Sequence, residues 1–104
     1  MNAEELSKRL KAKQAPILLD VRSGFEFNSG HIQGAVHAPM SNLLQRTALE
    51  VQDKSELVVI TCEHGPRAQL ARMLLKWRGY RNVELLEGHM ANWRGSGRAV
   101  IRTS

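Results

Sequence analysis

The residues of this chain best suited to chemistry stand together in one short segment, Cys-Glu-His-Gly-Pro-Arg at residues 62–67. Cys62 is the only cysteine among 104 residues, which excludes an internal disulfide and a zinc site built from several cysteines. A lone cysteine is either an inert buried thiol or a nucleophile. The residues around Cys62 decide between these two interpretations.

The position of Cys62 favours the nucleophile. It directly follows a predicted buried strand and precedes a predicted helix. Ligands of parallel sheets bind beyond the carboxyl ends of the strands, where the first turns of helices point free N–H groups at them. The backbone of residues 63–68 is therefore predicted to surround the sulfur as an anion nest, and thiols in such surroundings ionise more readily than a free cysteine.

The residues that follow Cys62 suit an anion site. Gly65 permits a positive φ or a close backbone approach where a side chain would fill the pocket. Pro66 suits the first position of a helix, and Arg67 adds a planar fork of donors for thiosulfate, a persulfide anion or an oxyanion. The predicted active-site loop consists of Glu63, His64, Gly65, Pro66, Arg67 and Ala68.

The pattern around this loop alternates between strand and helix, which indicates an α/β fold. Strands are predicted at residues 17–20, 34–38, 57–61 and 83–86, and helices at 2–13, 40–49, 67–77 and 88–94. Residues 23–30 are predicted to be turns, and residues 95–104 a flexible tail. We predict one domain over residues 1–104, with a central parallel sheet of four to five strands flanked by helices on both faces.

Helical spacing of apolar residues predicts which side chains fill the core. The predicted buried residues of two helices are Ala68, Ala71, Met73, Leu74 and Leu75 in one, and Leu43, Leu44 and Ala48 in the other. Trp77 and Trp93 are predicted to fill the rim of the core.

Composition and charge narrow the choice of partners. Lys and Arg outnumber Asp and Glu by 15 to 10, but the basic residues are scattered and no aromatic residues alternate with them, which argues against nucleic-acid binding. No apolar run approaches the roughly 20 residues of a membrane helix, and the first residues lack the pattern of a secretory signal. We predict a cytoplasmic protein that binds neither nucleic acid nor membrane.

Four motifs, in order along nearly the whole chain, resemble the single-domain rhodanese family. They are residues 19–22 with Glu26, residues 30–39, the strand and loop at 57–67, and the closing segment at 86–93. The resemblance implies a five-stranded parallel sheet and a sulfurtransferase of the thiosulfate:cyanide class. Cys62 would take the outer sulfur of a donor such as thiosulfate as a persulfide. It would then pass that sulfur to cyanide, a thiol or a protein acceptor, with ping-pong kinetics.

The resemblance also implies which cofactors and partners to expect, and this chain departs from the family pattern at three positions. It implies no metal or organic cofactor, and we predict a monomer or weak homodimer. Where some thiosulfate-using members carry basic residues, this chain has Glu63 and His64. Glu63 is predicted to repel a dianionic donor, and His64 is predicted either to offset that charge or to be an exposed spectator. His89 replaces a frequent family glycine, with no predicted loss of activity.

Other motif residues are predicted to support the site. Asp20 and Arg22 either orient the loop through an ion pair or only hold neighbouring loops together. His31 and His37 lack an acidic or cysteine partner at metal-ligand spacing, so no metal site is predicted.

Three other functions remain open. A cysteine phosphatase or arsenate reductase also pairs a strand-end cysteine with a loop arginine, but such phosphatases place five residues between the two, whereas four stand here. A rhodanese-like module that binds or regulates a partner without catalysis is a second alternative. A sulfur carrier loaded by another protein is a third.

Overall fold

A parallel sheet of four strands forms the centre of the computed structural model, which describes residues 1–103. The strands are β1 (Ile17–Asp20), β2 (Val36–His37), β3 (Val58–Thr61) and β4 (Val83–Leu85), in the order β2-β1-β3-β4. All neighbouring strands are parallel, with Ile17 beside Val58 and Val58 beside Val83. The predicted α/β class and parallel sheet are confirmed. The described residues form four strands, not the five that the family resemblance implies.

Five helices connect and cover the strands. They are α1 (Ala3–Lys11), α2 (Gly24–Ser29), α3 (Leu43–Glu50), α4 (Pro66–Trp77) and α5 (His89–Gly95), with a 3₁₀ turn at Met40–Asn42. The side chain of Asn2 caps α1 by accepting the N–H of Glu5 at 2.7 Å. Among residues 1–103 no helix is both long enough and apolar enough to cross a lipid bilayer.

The short helix α2 corrects the prediction that residues 23–30 are turns. Ser23 and Glu26 form a capping box, because each side chain bonds to the backbone N–H of the other. This reciprocal cap stabilises a single helical turn and a half in spite of Gly24 at its start. Gly30 ends the helix.

Two apolar layers enclose the sheet, one on each face. Side chains alternate along a strand, so Leu19, Val58 and Ile60 face α3 and α4, whereas Leu18 and Val59 face α1 and α5. Each of these five side chains is at most 3% exposed. Both faces of the sheet are therefore covered, as a parallel sheet requires.

Several predicted core residues lie on the surface instead. Met73 is 66% exposed and Trp77 is 80% exposed, because both lie two residues from the buried Leu75, about 200° around the helix. In α3 the residue that turns inward is Thr47, whose hydroxyl donates to the carbonyl of Leu43, and Ala48 is exposed. Trp93 is buried as predicted.

The segment after α5 returns to the domain. The backbones of His31 and Ile101 exchange two hydrogen bonds of 2.9 and 2.8 Å, and Thr103 donates to the carbonyl of Asn28. The indole of Trp93 donates to the carbonyl of Ala99. Flexibility of residues 95–104 in solution stays a prediction, and Ser104 lies outside the described residues.

Candidate active site

Cys62 lies directly after β3, at the carboxyl edge of the sheet, and its side chain is fully buried. The backbone N–H of Gly65 points at its sulfur, with 2.9 Å between the nitrogen and Sγ. Among residues 1–103 this is the one main-chain donor within hydrogen-bonding distance of the sulfur. The predicted nest is therefore represented by a single direct contact, made at the start of α4.

Gly65 makes that contact because of its backbone conformation. Its φ is 131°, a region that side chains disfavour, and Pro66 then begins α4. A Cβ atom at position 65 would lie 3.2 Å from Nε2 of His89, tighter than an ordinary contact. The glycine thus turns the chain sharply enough for its own N–H to reach the sulfur.

The first turn of α5 holds the loop from the other side. The N–H of Met90 donates to the carbonyl of Cys62 at 3.0 Å, and the N–H of Ala91 donates to the carbonyl of Glu63 at 3.2 Å. These amides have no partner within their own helix, so the loop carbonyls satisfy them. With these carbonyls bonded to α5, the N–H of Gly65 is the loop amide that donates to the sulfur.

Asp20 and Arg22 form a buried ion pair beside this loop. Nε and Nη2 of Arg22 donate to the carboxylate of Asp20 at 3.0 and 2.8 Å, and Nη2 also donates to the carbonyl of Gly30 at 2.7 Å. Burial alone would lower the pKa of Arg22, but the hydrogen bond and charge of Asp20 outweigh it, and the pKa is raised. Arg22 therefore joins the end of β1 to the loop that follows α2.

Glu63 is held by two arginines. Its Oε1 lies 3.4 Å from Nη1 of Arg22, and its Oε2 accepts a hydrogen bond from Nη2 of Arg94. Burial opposes ionisation of Glu63, but the hydrogen bond and charge of Arg94 and the charge of Arg22 outweigh it, so the pKa of Glu63 is lowered. The negative charge of Glu63 is thus balanced by the positive charges of Arg22 and Arg94.

Arg94 has no sequence signal that points to this site. It is one of the scattered charges in the sequence, and it lies 31 positions from Glu63. No spacing rule links two such residues. Only the packing of α5 against the loop brings them together.

Arg67 is paired in the same way with Glu26. Nη1 and Nη2 of Arg67 donate to the two carboxylate oxygens at 2.6 and 2.9 Å. The Arg67 hydrogen bond, together with bonds from Ser23, outweighs burial and lowers the pKa of Glu26 to about 2. The planar fork predicted to bind an anionic substrate is therefore occupied by a carboxylate of the chain itself.

A cavity of about 240 Å³ opens between these charged side chains. Its lining consists of Arg22, Phe25, Glu26, Ser29, Gly30, Glu63 and Arg94. Phe25 is 83% exposed at this opening. The cavity is adjacent to the Cys62 loop through Glu63, and its lining carries two arginines and two glutamates, so its formal charges cancel.

The remaining predicted residues divide between loop and scaffold. His64 and Pro66 are exposed, whereas Ala68 is a buried residue of the first turn of α4. His31 and His37 both stack on the ring of Phe27, and Nε2 of His37 lies 2.8 Å from the carbonyl oxygen of Arg22. Among residues 1–103 no group of three or more His, Cys, Asp or Glu side chains is placed to hold a metal ion.

The chain is similar in structure to a solved protein and in sequence to two proteins whose names refer to sulfur transfer or sulfur carriage. The crystal structure of the Alr3790 protein from Anabaena has a TM-score of 0.89 with this chain at 28% identity, covering 99% of this chain and 92% of the other. GlpE of Shewanella oneidensis, a thiosulfate sulfurtransferase, is 31% identical over 93 residues, which are 89% of each chain. The putative sulfur carrier protein YrkF of Bacillus subtilis is 28% identical over 91% of this chain, which spans 50% of YrkF.

The family model of the rhodanese-like domain matches residues 2–96. That range includes all four motifs and every residue of the loop described above. The chain therefore belongs to the family of rhodanese-like domains.

Proposed function

We propose that the protein transfers a sulfane sulfur through a persulfide on Cys62. The observation that supports this most directly is the Gly65 N–H, which lies 2.9 Å from Sγ at the start of α4. A donor N–H at a helix N-terminus stabilises an anion, and both a thiolate and a persulfide are anions at that position. The same contact thus serves the sulfur before and after loading.

The reaction consists of two displacements at sulfur. The Cys62 thiolate attacks the outer sulfur of thiosulfate, the sulfur–sulfur bond of the donor breaks, and sulfite leaves with the electron pair. An acceptor thiolate or cyanide then attacks the outer sulfur of the persulfide, and the Cys62 thiolate leaves. Because a covalent intermediate separates the two steps, we expect ping-pong kinetics.

Thiosulfate is the donor to test first, since GlpE bears that substrate in its name. An anionic donor would have to displace the carboxylate of Glu26 from Arg67 or that of Glu63 from Arg94, since both guanidinium groups are paired. The thiosulfate:cyanide class, a cytoplasmic location and a monomer or weak-dimer state all remain predictions for this chain.

A sulfur carrier without a small-molecule donor is the second candidate. The full burial of Cys62 and the pairing of both arginines favour it, because free thiosulfate would meet no open cation in this arrangement. The relative YrkF is named a putative sulfur carrier. In that case the persulfide would form only with a protein or persulfide donor.

Intact-protein mass spectrometry tests both candidates. After incubation with thiosulfate, we expect one added sulfur on the wild type and none on Cys62→Ser, which differs from it by one atom. Loading by a cysteine persulfide but not by thiosulfate would support the carrier. If neither donor loads the wild type, while iodoacetamide still alkylates Cys62, the chain is a non-catalytic module and the proposal is wrong.

A further inference from the structure

His89 has an unusual backbone conformation next to the candidate nucleophile. Its φ is 53°, in the left-handed region that favours glycine, and it begins α5 directly after Gly88, whose φ is 76°. Within residues 1–103 only Lys13 shares a positive φ among residues other than glycine. Strain of this kind persists where the surrounding structure holds the residue in place, and it clusters at functional sites.

The side chain of His89 contacts the loop at two points. Its Nδ1 lies 3.2 Å from the backbone nitrogen of Cys62, whose N–H points at it. Its Nε2 and Cδ2 lie against Gly65, at 3.2 and 3.4 Å from the position of a Cβ atom there. The ring is only 7% exposed, so it packs between the cysteine backbone and the residue whose N–H reaches the sulfur.

This geometry determines the protonation state of the ring. A backbone N–H only donates, so Nδ1 of His89 must be the unprotonated nitrogen and the proton must be on Nε2. A proton on Nδ1 would set two donors against each other and leave the Cys62 N–H without its acceptor. The contact is therefore made by neutral histidine alone.

The charged and titratable groups near His89 belong to the Cys62 loop, α4 and α5. The loop contributes Cys62, exposed His64, and Glu63, which is paired with Arg22 and with Arg94 of α5. Arg67 of α4 is paired with Glu26. Burial, and next the charge of His64, lower the pKa of His89 below its usual value of about 6.5.

We propose that neutral His89 is a positioning residue for Cys62, which holds the cysteine backbone through Nδ1 and supports the Gly65 turn with its ring. Protonation of His89 breaks the bond to the Cys62 N–H and places a buried charge under the loop. The Gly65 N–H then loses its alignment with the sulfur, and the reactivity of Cys62 falls. The proposal concerns the site of the proposed sulfur transfer, but it is tested without any sulfur donor.

The first test observes the ring directly. Long-range ¹H–¹⁵N NMR of the whole protein, with His89→Asn to assign the signal, should show the Nε2–H tautomer at neutral pH and a titration midpoint below about 6.5. An Nδ1–H tautomer at neutral pH would overturn the proposal.

The second test measures alkylation of Cys62 by iodoacetamide as a function of pH. Asn tolerates the left-handed region, and its Oδ1 takes the place of Nδ1 without titrating, so His89→Asn should keep the neutral-pH rate within about threefold. Gly also fits the backbone but offers no acceptor, so His89→Gly should lose about tenfold. Thermal unfolding of both variants checks that they are folded.

The shape of the pH profile separates His89 from other titrating groups. The wild type should show an inflection below about pH 6.5 in addition to thiol ionisation, which His64→Asn retains and His89→Asn loses. Identical profiles for the wild type and His89→Asn, or a full rate in His89→Gly, would refute the role. Failure of sulfur loading with these alkylation results intact would count against the proposed function alone.

Discussion

Two arginine–carboxylate pairs flank the Cys62 loop, and they differ chiefly in burial. Asp20 and Arg22 are 0% and 2% exposed, whereas Glu26 and Arg67 are 29% and 40% exposed, although both pairs are bidentate. Removing one partner from a buried pair leaves a charge without compensation, whereas water replaces a partner at the surface. The buried pair therefore belongs to the scaffold, and the exposed pair is available for exchange with a ligand.

Breaking the buried pair should have the largest effect. Asp20→Asn removes the bidentate partner of Arg22, keeps the volume and leaves the longer 3.4 Å contact with Glu63, so we expect the free energy of unfolding to fall by about 3–5 kcal/mol. Urea denaturation followed by circular dichroism measures this difference. A loss below about 1 kcal/mol would show that the burial of Arg22 does not isolate it from water.

Removing both charges should cost less than removing one. In Asp20→Asn with Arg22→Met no ionised group is left buried, so at least half of the loss in Asp20→Asn should be recovered, about 2 kcal/mol. Urea denaturation of the two single variants and the double variant completes the cycle. If the losses simply add, the two residues do not interact as the distances indicate.

The exposed pair should show its effect as a dependence on pH. The pKa of Glu26 is lowered to about 2 by Arg67 and Ser23, so its stabilisation is complete above its ordinary value of 4.5 and is lost as pH falls from 4.5 toward 2. After screening by solvent, we expect about 1 kcal/mol between wild type and Glu26→Gln at pH 6 and about a quarter of that at pH 2.5. An equal difference at both pH values would contradict this assignment.

Glu26→Gln should also change activity, because it alters the pairing of Arg67. Glu26→Gln releases the guanidinium of Arg67, so the KM for thiosulfate in cyanide-dependent thiocyanate formation should fall about threefold, roughly 0.7 kcal/mol. Glu50→Gln, which breaks the 4.0 Å surface pair of Glu50 with Arg46 on α3, is the matched control. An unchanged KM would mean that Arg67 does not meet the donor.

Breaking an exposed pair should have the smallest effect on the free energy of unfolding. Glu4 and Lys8 lie 3.5 Å apart on α1, with side chains 72% and 76% exposed. Glu4→Gln should change the free energy of unfolding by no more than about 0.5 kcal/mol. A larger value in urea denaturation would show that burial is not the variable that separates the pairs.

The fold and the position of the nucleophile were predictable because they depend on local pattern. The apolar, β-branched run before Cys62 marks a buried strand, and Gly65 followed by Pro66 marks the turn into a helix. These signals need only neighbouring residues. The parallel sheet and the loop at its carboxyl edge follow from them.

What the sequence did not predict depends on contacts between distant elements. The partners of Glu63 and of Arg67 are 31 and 41 positions away, and no periodicity links them. Trp77 is apolar, but its angle around α4 places it in solvent. His89 appears in the sequence as a local replacement of glycine, and only its φ and its contact with Cys62 show otherwise.

The bonds from α5 to the carbonyls of Cys62 and Glu63 have a consequence for the order of synthesis. The strand, the cysteine and α4 all leave the ribosome before Met90 and Ala91, the residues that hold the loop backbone. Until those two residues emerge, the carbonyls of Cys62 and Glu63 lack these two donors. The hydrogen bonds that fix the backbone of the Cys62 loop therefore form only after α5 has been synthesised and packs against that loop.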